Sequence, residues 1–331
     1  MAAAGIAFVL GAAVSLATSW ILVSRLERVG ERFGLSEALL GIVAALAADA
    51  PEITAAVSAL LQHQRAIGAG VVIGSNVFNL AALLGLSAVI SGYLALHRRV
   101  ILLGGAVGLW VALCALAGST GIVPLDAALA FAAIVFVAYL VAMGAPRQSL
   151  DRLPIPRPWS TWMRSAIDEE EQELEVAIRP PRGRPMDALV AIGALVVVII
   201  ASVAMERGAT SLGRSLHVAD AIIGGVVLAA VTSLPNAVAA IHLASRGRGA
   251  AAFSTALNSN NINVVAGLLI PGVLLGLAPG SPAGNITVGW YLGLTLLVLV
   301  LAYVGRGLSR VSGWLVVAGY ATFVGVLIAV S

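Results

Sequence analysis

The stretch Ala48-Asp49-Ala50-Pro51-Glu52 has a counterpart 184 residues later in Thr232-Ser233-Leu234-Pro235-Asn236. The sequences around these two stretches align without a gap. Further matched pairs are Gly41 with Gly225, Ala45 with Ala229, Ala55 and Ala56 with Ala239 and Ala240, Ser75 with Ser259, Asn76 with Asn260, and Asn79 with Asn263. Such a match inside two apolar regions indicates an internal duplication and predicts that both copies contribute to one polar centre.

The composition is typical of a membrane protein. Of 331 residues, 60% are apolar and 11% are charged, with a mean hydropathy of +1.01, which is far more apolar than a water-soluble domain. The single cysteine, Cys114, has no partner in the chain, so an intrachain disulfide is excluded. The lipid bilayer is therefore the first expected partner.

Ten segments are apolar over the roughly 20 residues that a membrane-spanning helix needs. They cover residues 4–23, 37–61, 67–91, 100–117, 125–143, 187–205, 219–244, 250–277, 286–304 and 312–330. The first is interpreted as a retained helix and not as a signal peptide, because its arginines follow the apolar run instead of preceding it.

Arginine placement predicts the orientation. The chain has no lysine, and all 19 positive side chains are arginines. If the N-terminus lies outside, every arginine falls in a cytoplasmic loop except Arg65, Arg207 and Arg214. This bias predicts a multi-pass protein of the cell (inner) membrane with both termini outside. The net charge of +3 then reflects topology, and nucleic acid is not an expected partner.

The predicted fold is an all-α membrane protein with ten transmembrane helices in two inverted five-helix repeats. Residues 1–143 form the first repeat, 144–186 a cytoplasmic linker, and 187–331 the second repeat. Because five is odd, the second repeat enters the membrane from the opposite face. In transporters built this way, the substrate site lies near the midplane, where broken helices of the two halves meet.

The sequence also predicts which helices are broken. Pro51 and Pro235 interrupt helices 2 and 7, because proline lacks the backbone N–H that continues a helix. Helices 3 and 8 carry Gly74-Ser75-Asn76-Val77-Phe78-Asn79 and Asn258-Ser259-Asn260-Asn261-Ile262-Asn263. These amides are costly in hydrocarbon unless they line a polar cavity. The four segments are therefore expected to meet as one oxygen-rich site.

Asp49 and Glu52 are the only acidic residues well inside predicted spans. A charged carboxylate at the bilayer centre costs at least about 2.5 kcal/mol, and no midplane arginine or histidine is available to pair with either one. A cation or a proton is the natural partner. Carboxylate, amide and hydroxyl oxygens suit hard cations such as Na⁺, Ca²⁺ or Mg²⁺. A protonated pair with only a structural role is the alternative.

At these residues the chain resembles the cation/calcium exchanger superfamily, which includes the sodium/calcium exchangers. Pro51-Glu52 and Gly74 to Asn79 match the first of that family's two alpha-repeats, which would span about residues 36–84 and 220–268. The resemblance implies that helices 1 and 6 slide as gates, with Gly11 and Gly193 permitting close contact. The implied cation ligands are Asp49, Glu52, Asn76, Thr232, Ser233, Asn236 and Asn260, with Ser75, Asn79, Ser259 and Asn263 as further candidates.

The chain also departs from the family's pattern. Asn236 stands where the second repeat usually supplies a glutamate, and Asn260 where an aspartate often stands. Conversely, Asp49 replaces a serine and Ala48 a threonine in the first repeat. Both acids therefore come from one half.

The expected function is cation antiport by alternating access, similar to that of a sodium/calcium exchanger. The alternative is a proton-coupled exchanger of calcium or another cation, and a cation channel is a weaker one. No His-Glu-x-x-His motif or nucleophile and base pair occurs in the spans, so an enzyme is not expected. No cofactor is expected besides the transported cations.

The linker is predicted to be a solvated helix or disordered, with Trp159 and Trp162 at the membrane interface. A regulatory cation site at its acidic run, residues 168–175, is the alternative.

Overall fold

The computed structural model describes residues 1–33, 37–144, 157–177, 183–277 and 280–331, and their side chains except at 37–42, 157 and 169–177. This part of the chain forms helices joined by short turns. The helices are α1 (Ala2–Arg32), α2 (Glu37–Ala48), α3 (Ala50–Leu61), α4 (Arg65–Ser91), α5 (Arg98–Ser119), α6 (Leu125–Gly144), α7 (Arg157–Ala177), α8 (Pro185–Ser215), α9 (Asp220–Thr232), α10 (Leu234–Ser245), α11 (249–275), α12 (Pro282–Gly305) and α13 (Arg310–Val330). Two three-residue strands, β1 (Tyr93–Ala95) and β2 (Gly307–Ser309), pair antiparallel.

The helices repeat with the offset that the sequence predicts. Helices α3, α4 and α5 begin at Ala50, Arg65 and Arg98, and α10, α11 and α12 each begin 184 residues later. Segments of π-helix interrupt α4 at Leu80–Leu86, α9 at Ile223–Leu228 and α11 at Asn263–Leu269. Such segments occur mostly at functional positions in helices. Here the segment in α4 directly follows Asn79, the last residue of the polar motif, and the segment in α11 begins at Asn263, the last residue of the second motif.

An all-α membrane architecture is confirmed. Within the described residues, seven helices are long and apolar enough to cross a membrane, and α9 with α10 forms an eighth candidate that is bent by 48°. The remaining two predicted spans are also helical, as α2 with α3 and as α11.

Helices α1 and α8 are longer than predicted. Each has 31 residues, which corresponds to about 46 Å at 1.5 Å per residue, whereas the hydrocarbon core is about 30 Å thick. The predictions of 4–23 and 187–205 stopped where the hydropathy falls, but both helices continue through charged residues. The continued part of α8 includes Glu206.

Helices α1 and α8 pack together antiparallel. Near one end, Arg25 of α1 forms a 2.6 Å ion pair with Asp187 at the start of α8. In the middle, the hydroxyls of Ser15 and Ser202 are 2.8 Å apart. Towards the other end, Gly208 lies against the backbone of Phe8. The contact therefore runs along most of both helices.

Small residues allow this approach, although one of them differs from the prediction. A Cβ at Gly11 would lie 2.7 Å from the Ala201 carbonyl oxygen, as expected for a contact glycine. Gly193 has no atom within 4 Å of its Cβ position, so its predicted contact role is wrong. Gly208 takes that role instead, because helix rotation turns it towards α1 and turns Gly193 away.

Helix α4 lies at the centre, packed against α3, α9 and α12. Its closest approach is to α9, where a Cβ at Gly74 would lie 2.2 Å from the Gly225 carbonyl oxygen. The glycine that opens the polar motif of α4 is therefore required for helix packing. This contact brings the polar residues of α4 next to the second half of the chain.

Loop contacts group the turns into two faces. The β1–β2 pairing joins the segment after α4 to the segment after α12, and the Gly183 amide donates to the Arg28 carbonyl at 3.0 Å. Arg65, in contrast, donates to the Leu277 carbonyl at 3.5 Å.

The linker contributes α7, which packs on α2, α5 and α11 and buries Ala166 and Ile167. It is therefore not wholly solvated. Trp159 is exposed, and the acidic side chains 169–175 lie outside the described residues.

Gly11→Ala and Gly193→Ala form a matched pair that tests the α1–α8 interface. We expect Gly11→Ala to destabilise the protein by about 1–3 kcal/mol, because its methyl group overlaps the α8 backbone. Gly193→Ala should be neutral or stabilising by up to about 1 kcal/mol, because alanine favours the helix and meets no neighbour. Thermal unfolding of the purified proteins in detergent measures both. Equal melting temperatures for the two variants would contradict the interface.

Candidate functional site

The site is built on two helix breaks with the same backbone conformation. Asp49 separates α2 from α3 with φ −80° and ψ −7°, and Ser233 separates α9 from α10 with φ −82° and ψ −5°. Pro51 and Pro235 follow in the first turn of the new helix, where a missing N–H costs no helical bond. The breaks therefore present two helix N-termini, whose partial positive charge favours nearby carboxylates.

Each carboxylate of the first half is hydrogen-bonded to the second half. Asp49 Oδ1 accepts from Asn236 Nδ2 at 2.6 Å and from Ser259 Oγ at 2.7 Å. Glu52 accepts on one oxygen from Ser233 Oγ and on the other from Asn263 Nδ2. Both acids are fully buried. Because these donors are neutral, they solvate a negative charge on either acid without neutralising it.

Four asparagines connect α4 to α11 next to these acids. Asn76 Nδ2 donates to the Asn260 carbonyl oxygen, and Asn260 Nδ2 donates to the Asn76 carbonyl oxygen, both at 3.2 Å. Asn79 Nδ2 donates to Asn260 Oδ1 at 3.0 Å, and Asn263 Nδ2 donates to Asn76 Oδ1 at 3.3 Å. Asn76 and Asn260, which occupy equivalent repeat positions, thus bond to each other reciprocally, and the bonds of Asn79 and Asn263 are related to each other by the repeat.

Three buried oxygens of the cluster have no hydrogen-bond partner among the described residues. They are Asp49 Oδ2, Asn79 Oδ1 and Asn263 Oδ1. Buried oxygens are rarely left unpaired in proteins, because each would lose its solvation. A dehydrated hard cation would supply such a partner, since such ions take carboxylate and carbonyl-type oxygens. The residues present therefore fit a cation as substrate.

Two predicted ligands use their hydroxyls differently. Thr232 Oγ1 donates to the Leu228 carbonyl oxygen of its own helix at 2.9 Å. Ser75 lies beside Glu52, but its hydroxyl also donates within its helix, to the Val71 carbonyl. The other nine predicted residues interact through the hydrogen bonds described above. Because the hydroxyl hydrogens of Thr232 and Ser75 are donated within their own helices, these residues could bind a cation only through the lone pairs of their hydroxyl oxygens.

Sequence reasoning missed two buried polar residues. Tyr291 of α12 contacts the Asn76 side chain and is almost fully buried. Glu206 of α8 is fully buried away from the cluster. The only signal for Tyr291 was a tyrosine inside an apolar span. Glu206 was placed at a span end because the length of α8 was underestimated.

A cavity of about 490 Å³ reaches the cluster from one side. It lies between α1 and α10 and is lined by Trp20, Val23, Glu27 and His242, among others, and it ends at Asn236. On the other side of the cluster, α8 packs directly against α3. The two approaches to the site therefore differ in this structure.

Known proteins with similar sequences include transporters. The chain is 32% identical to the sodium/potassium/calcium exchanger Nckx30C of Drosophila melanogaster over 126 residues, which are 38% of this chain and 14% of that protein. It is 36% identical to the putative antiporter CaxA of Alkalimonas amylolytica over 84 residues, 25% of this chain and 26% of that protein. It thus spans a small part of the length of these two relatives. The uncharacterized membrane protein MJ0091 of Methanocaldococcus jannaschii is 24% identical over 304 residues, 90% of this chain and 87% of that protein.

Solved structures share the fold. Native YfkE has a TM-score of 0.69 at 15% identity, covering 98% of this chain and 93% of that one. The sodium-calcium exchanger NCX_Mj, soaked with zero Na⁺ and Ca²⁺, has a TM-score of 0.59 at 23% identity, covering 99% of this chain and 100% of that one. The family model for the sodium/calcium exchanger protein matches residues 3–146 and 187–329. The chain therefore belongs to the sodium/calcium exchanger family, whose members are membrane transporters and not enzymes.

Proposed function

We propose that this protein is a cation antiporter that exchanges calcium, or a similar hard cation, for sodium at the Asp49–Glu52 site. One observation carries the proposal. Within the described part of the chain, two fully buried carboxylates are bonded only to neutral amide and hydroxyl donors, and the same cluster contains oxygens that lack partners there. Inside a bilayer this arrangement needs a positive charge, because hydrogen bonds from neutral groups leave the net charge in place.

The same charge couples the two fluxes. With no cation bound, the site carries up to two negative charges, and moving them through hydrocarbon is unfavourable. One divalent ion or two monovalent ions restore neutrality. The loaded forms then cross more readily than the empty form, so that one ion leaves only when another replaces it. This argument favours an exchanger over a channel.

We place ten crossings in two inverted repeats, with both termini outside. The recurring helix starts and the antiparallel α1–α8 pair support the inversion. The arginines support the orientation, because Arg98, Arg99, Arg306 and Arg310 all lie beside the paired strands β1 and β2. The site would then lie near the midplane, at the level of the two breaks.

Alternating access would occur by sliding of α1 and α8 across the broken helices. The cavity beside His242 leads to Asn236 from the face assigned to the cytoplasm, whereas α8 closes the other approach by packing on α3. We therefore assign this structure to an inward-facing state. Sliding of the α1–α8 pair would close one approach as it opens the other.

A proton-coupled exchanger is the second candidate. The observation that favours it is the distribution of charge: both acids come from the first half, and Asn236 and Asn260 occupy the places where relatives usually have acids. A site with two carboxylates can exchange one divalent cation for two protons without further ligands.

Calcium uptake into proteoliposomes distinguishes these candidates. Uptake of labelled calcium is measured with an outward sodium gradient, an outward proton gradient, or neither. We expect saturable uptake driven by sodium and little uptake without a gradient. Uptake driven only by protons would establish the second candidate. Non-saturating flux that needs no counter-ion would indicate a channel and contradict exchange.

Glu52→Gln tests the role of the carboxylate. We expect the variant to fold but to bind calcium at least about 10–100-fold more weakly, as with lost metal-site partners elsewhere, because it keeps the shape of the side chain and removes its charge. Asp126→Asn, at the exposed start of α6, makes the same kind of change outside the site and should have no effect. Normal exchange by a correctly inserted Glu52→Gln protein would refute the assignment.

Asp49 and Asn236 form a pair whose charge should be transferable between halves. Their side chains are 2.6 Å apart, so a carboxylate at position 236 lies beside the same cation position. We expect Asp49→Ser with Asn236→Glu to bind calcium more tightly than Asp49→Ser alone, because the double variant restores two carboxylates. Binding calorimetry compares them. Equal calcium affinities of the single and double variants would show that a carboxylate at position 236 cannot replace the carboxylate of Asp49.

A further inference from the structure

A third carboxylate is buried between helices outside the candidate site. Glu206 of α8 is fully buried. Its Oε2 accepts from Ser58 Oγ and from Gln62 Nε2, both at 2.8 Å, and its Oε1 accepts from Thr210 Oγ1 at 3.1 Å. Ser58 lies in α3 and Gln62 caps its C-terminal end; this helix starts directly after Asp49 and carries Glu52. The carboxylate therefore joins α8 to the helix that presents the acids.

These bonds are strong for a contact between a sliding helix and a fixed one. Hydrogen bonds to an ionised oxygen are about twice as strong as those between neutral groups. All of the donors are hydroxyl or amide groups, and no ion pair to Glu206 occurs within the described part of the chain. Separation of α8 from α3 would leave a carboxylate without its donors until water replaced them.

Among the described residues, the opposite face has no equivalent hydrogen-bonded contact. Helices α1 and α8 begin 183 residues apart, so Glu206 of α8 corresponds to Val23 of α1. Helices α3 and α10 begin 184 residues apart, so Ser58 of α3 corresponds to His242 of α10. Val23 and His242 both line the 490 Å³ cavity between α1 and α10. The described part of the duplicated architecture is thus bonded together on one face and open on the other, although Glu27 of α1 also lines the open side.

We propose that Glu206 is a positioning residue of a gate. This gate lies on the side of the protein that carries the turn between α3 and α4, residues 62–64, which is called the 62–64 face below. The bonds of Glu206 to Ser58 and Gln62 hold α8 against α3, close that approach to the site, and bias the transporter towards the state that is open beside His242. The inference rests on the alternating access proposed above. Release of this contact would be a required step when the site opens to the 62–64 face.

Thiol labelling tests the gate without any need for transport. Cys114→Ala removes the native cysteine, and Ser75→Cys or, in a second series, Thr232→Cys places a reporter at the site. The proteins are reconstituted, and an impermeant methanethiosulfonate reagent is applied to one face at a time. We expect Glu206→Ala to raise the labelling rate from the 62–64 face by at least about fivefold and to lower it from the His242 face.

Removal of the donors from α3 provides the matched control. Ser58→Ala with Gln62→Ala should reproduce the change in labelling, and the addition of Glu206→Ala should add little, because both variants break the same contact. Thr210→Val, which removes only the bond within α8, should have a smaller effect. A merely structural role would lower the yield or melting temperature without shifting labelling in opposite directions on the two faces.

The outcomes separate this inference from the proposed function. The gate role is overturned if Glu206→Ala and the reporter protein without this substitution are labelled equally from the 62–64 face. This holds also if neither protein is labelled from that face, and it does not depend on the transport result. A shift in labelling supports the gate, and absence of cation exchange by the unaltered protein in proteoliposomes contradicts the antiporter.

Discussion

Two buried acidic side chains set the conditions for the rest of this structure. Asp49 and Glu52 are fully buried, so their solvation must come from the chain itself or from an ion. The chain supplies part of it through Asn236, Ser259, Ser233 and Asn263. All four donors belong to the second half. Neither half can therefore form this site alone, which explains why the duplicated polar motifs are retained in both.

The helices are arranged to bring these groups together. The breaks at Asp49 and Ser233 leave helix ends inside the protein, which a bilayer tolerates only when they are enclosed. Helix α4 encloses them from one side by approaching α9 at Gly74 and Gly225, so closely that a methyl group would not fit. The same approach allows Asn76 and Asn260 to bond reciprocally. Close packing and polar solvation therefore depend on each other.

Symmetry of the two repeats is incomplete where movement is expected. The repeated helices match closely in their starts, and the two breaks have nearly the same backbone angles. The flanks of the site differ, with a hydrogen-bonded contact of α8 on α3 and a cavity between α1 and α10. A symmetric scaffold with one closed and one open flank is the arrangement that alternating access needs.

The sequence by itself determined the class of the protein, the duplication, the positions of the helices and the polar residues of the site. These follow from hydropathy, proline and residue identity, which are properties of the chain in one dimension. The tertiary structure decided which groups meet. Ser259 and Asn236 bond to Asp49, Thr232 bonds to its own helix, Gly208 replaces Gly193 at the α1–α8 interface, and Glu206 lies at a buried contact. These outcomes depend on helix rotation and crossing, which are set by packing against distant parts of the chain and leave no periodic signal in the sequence.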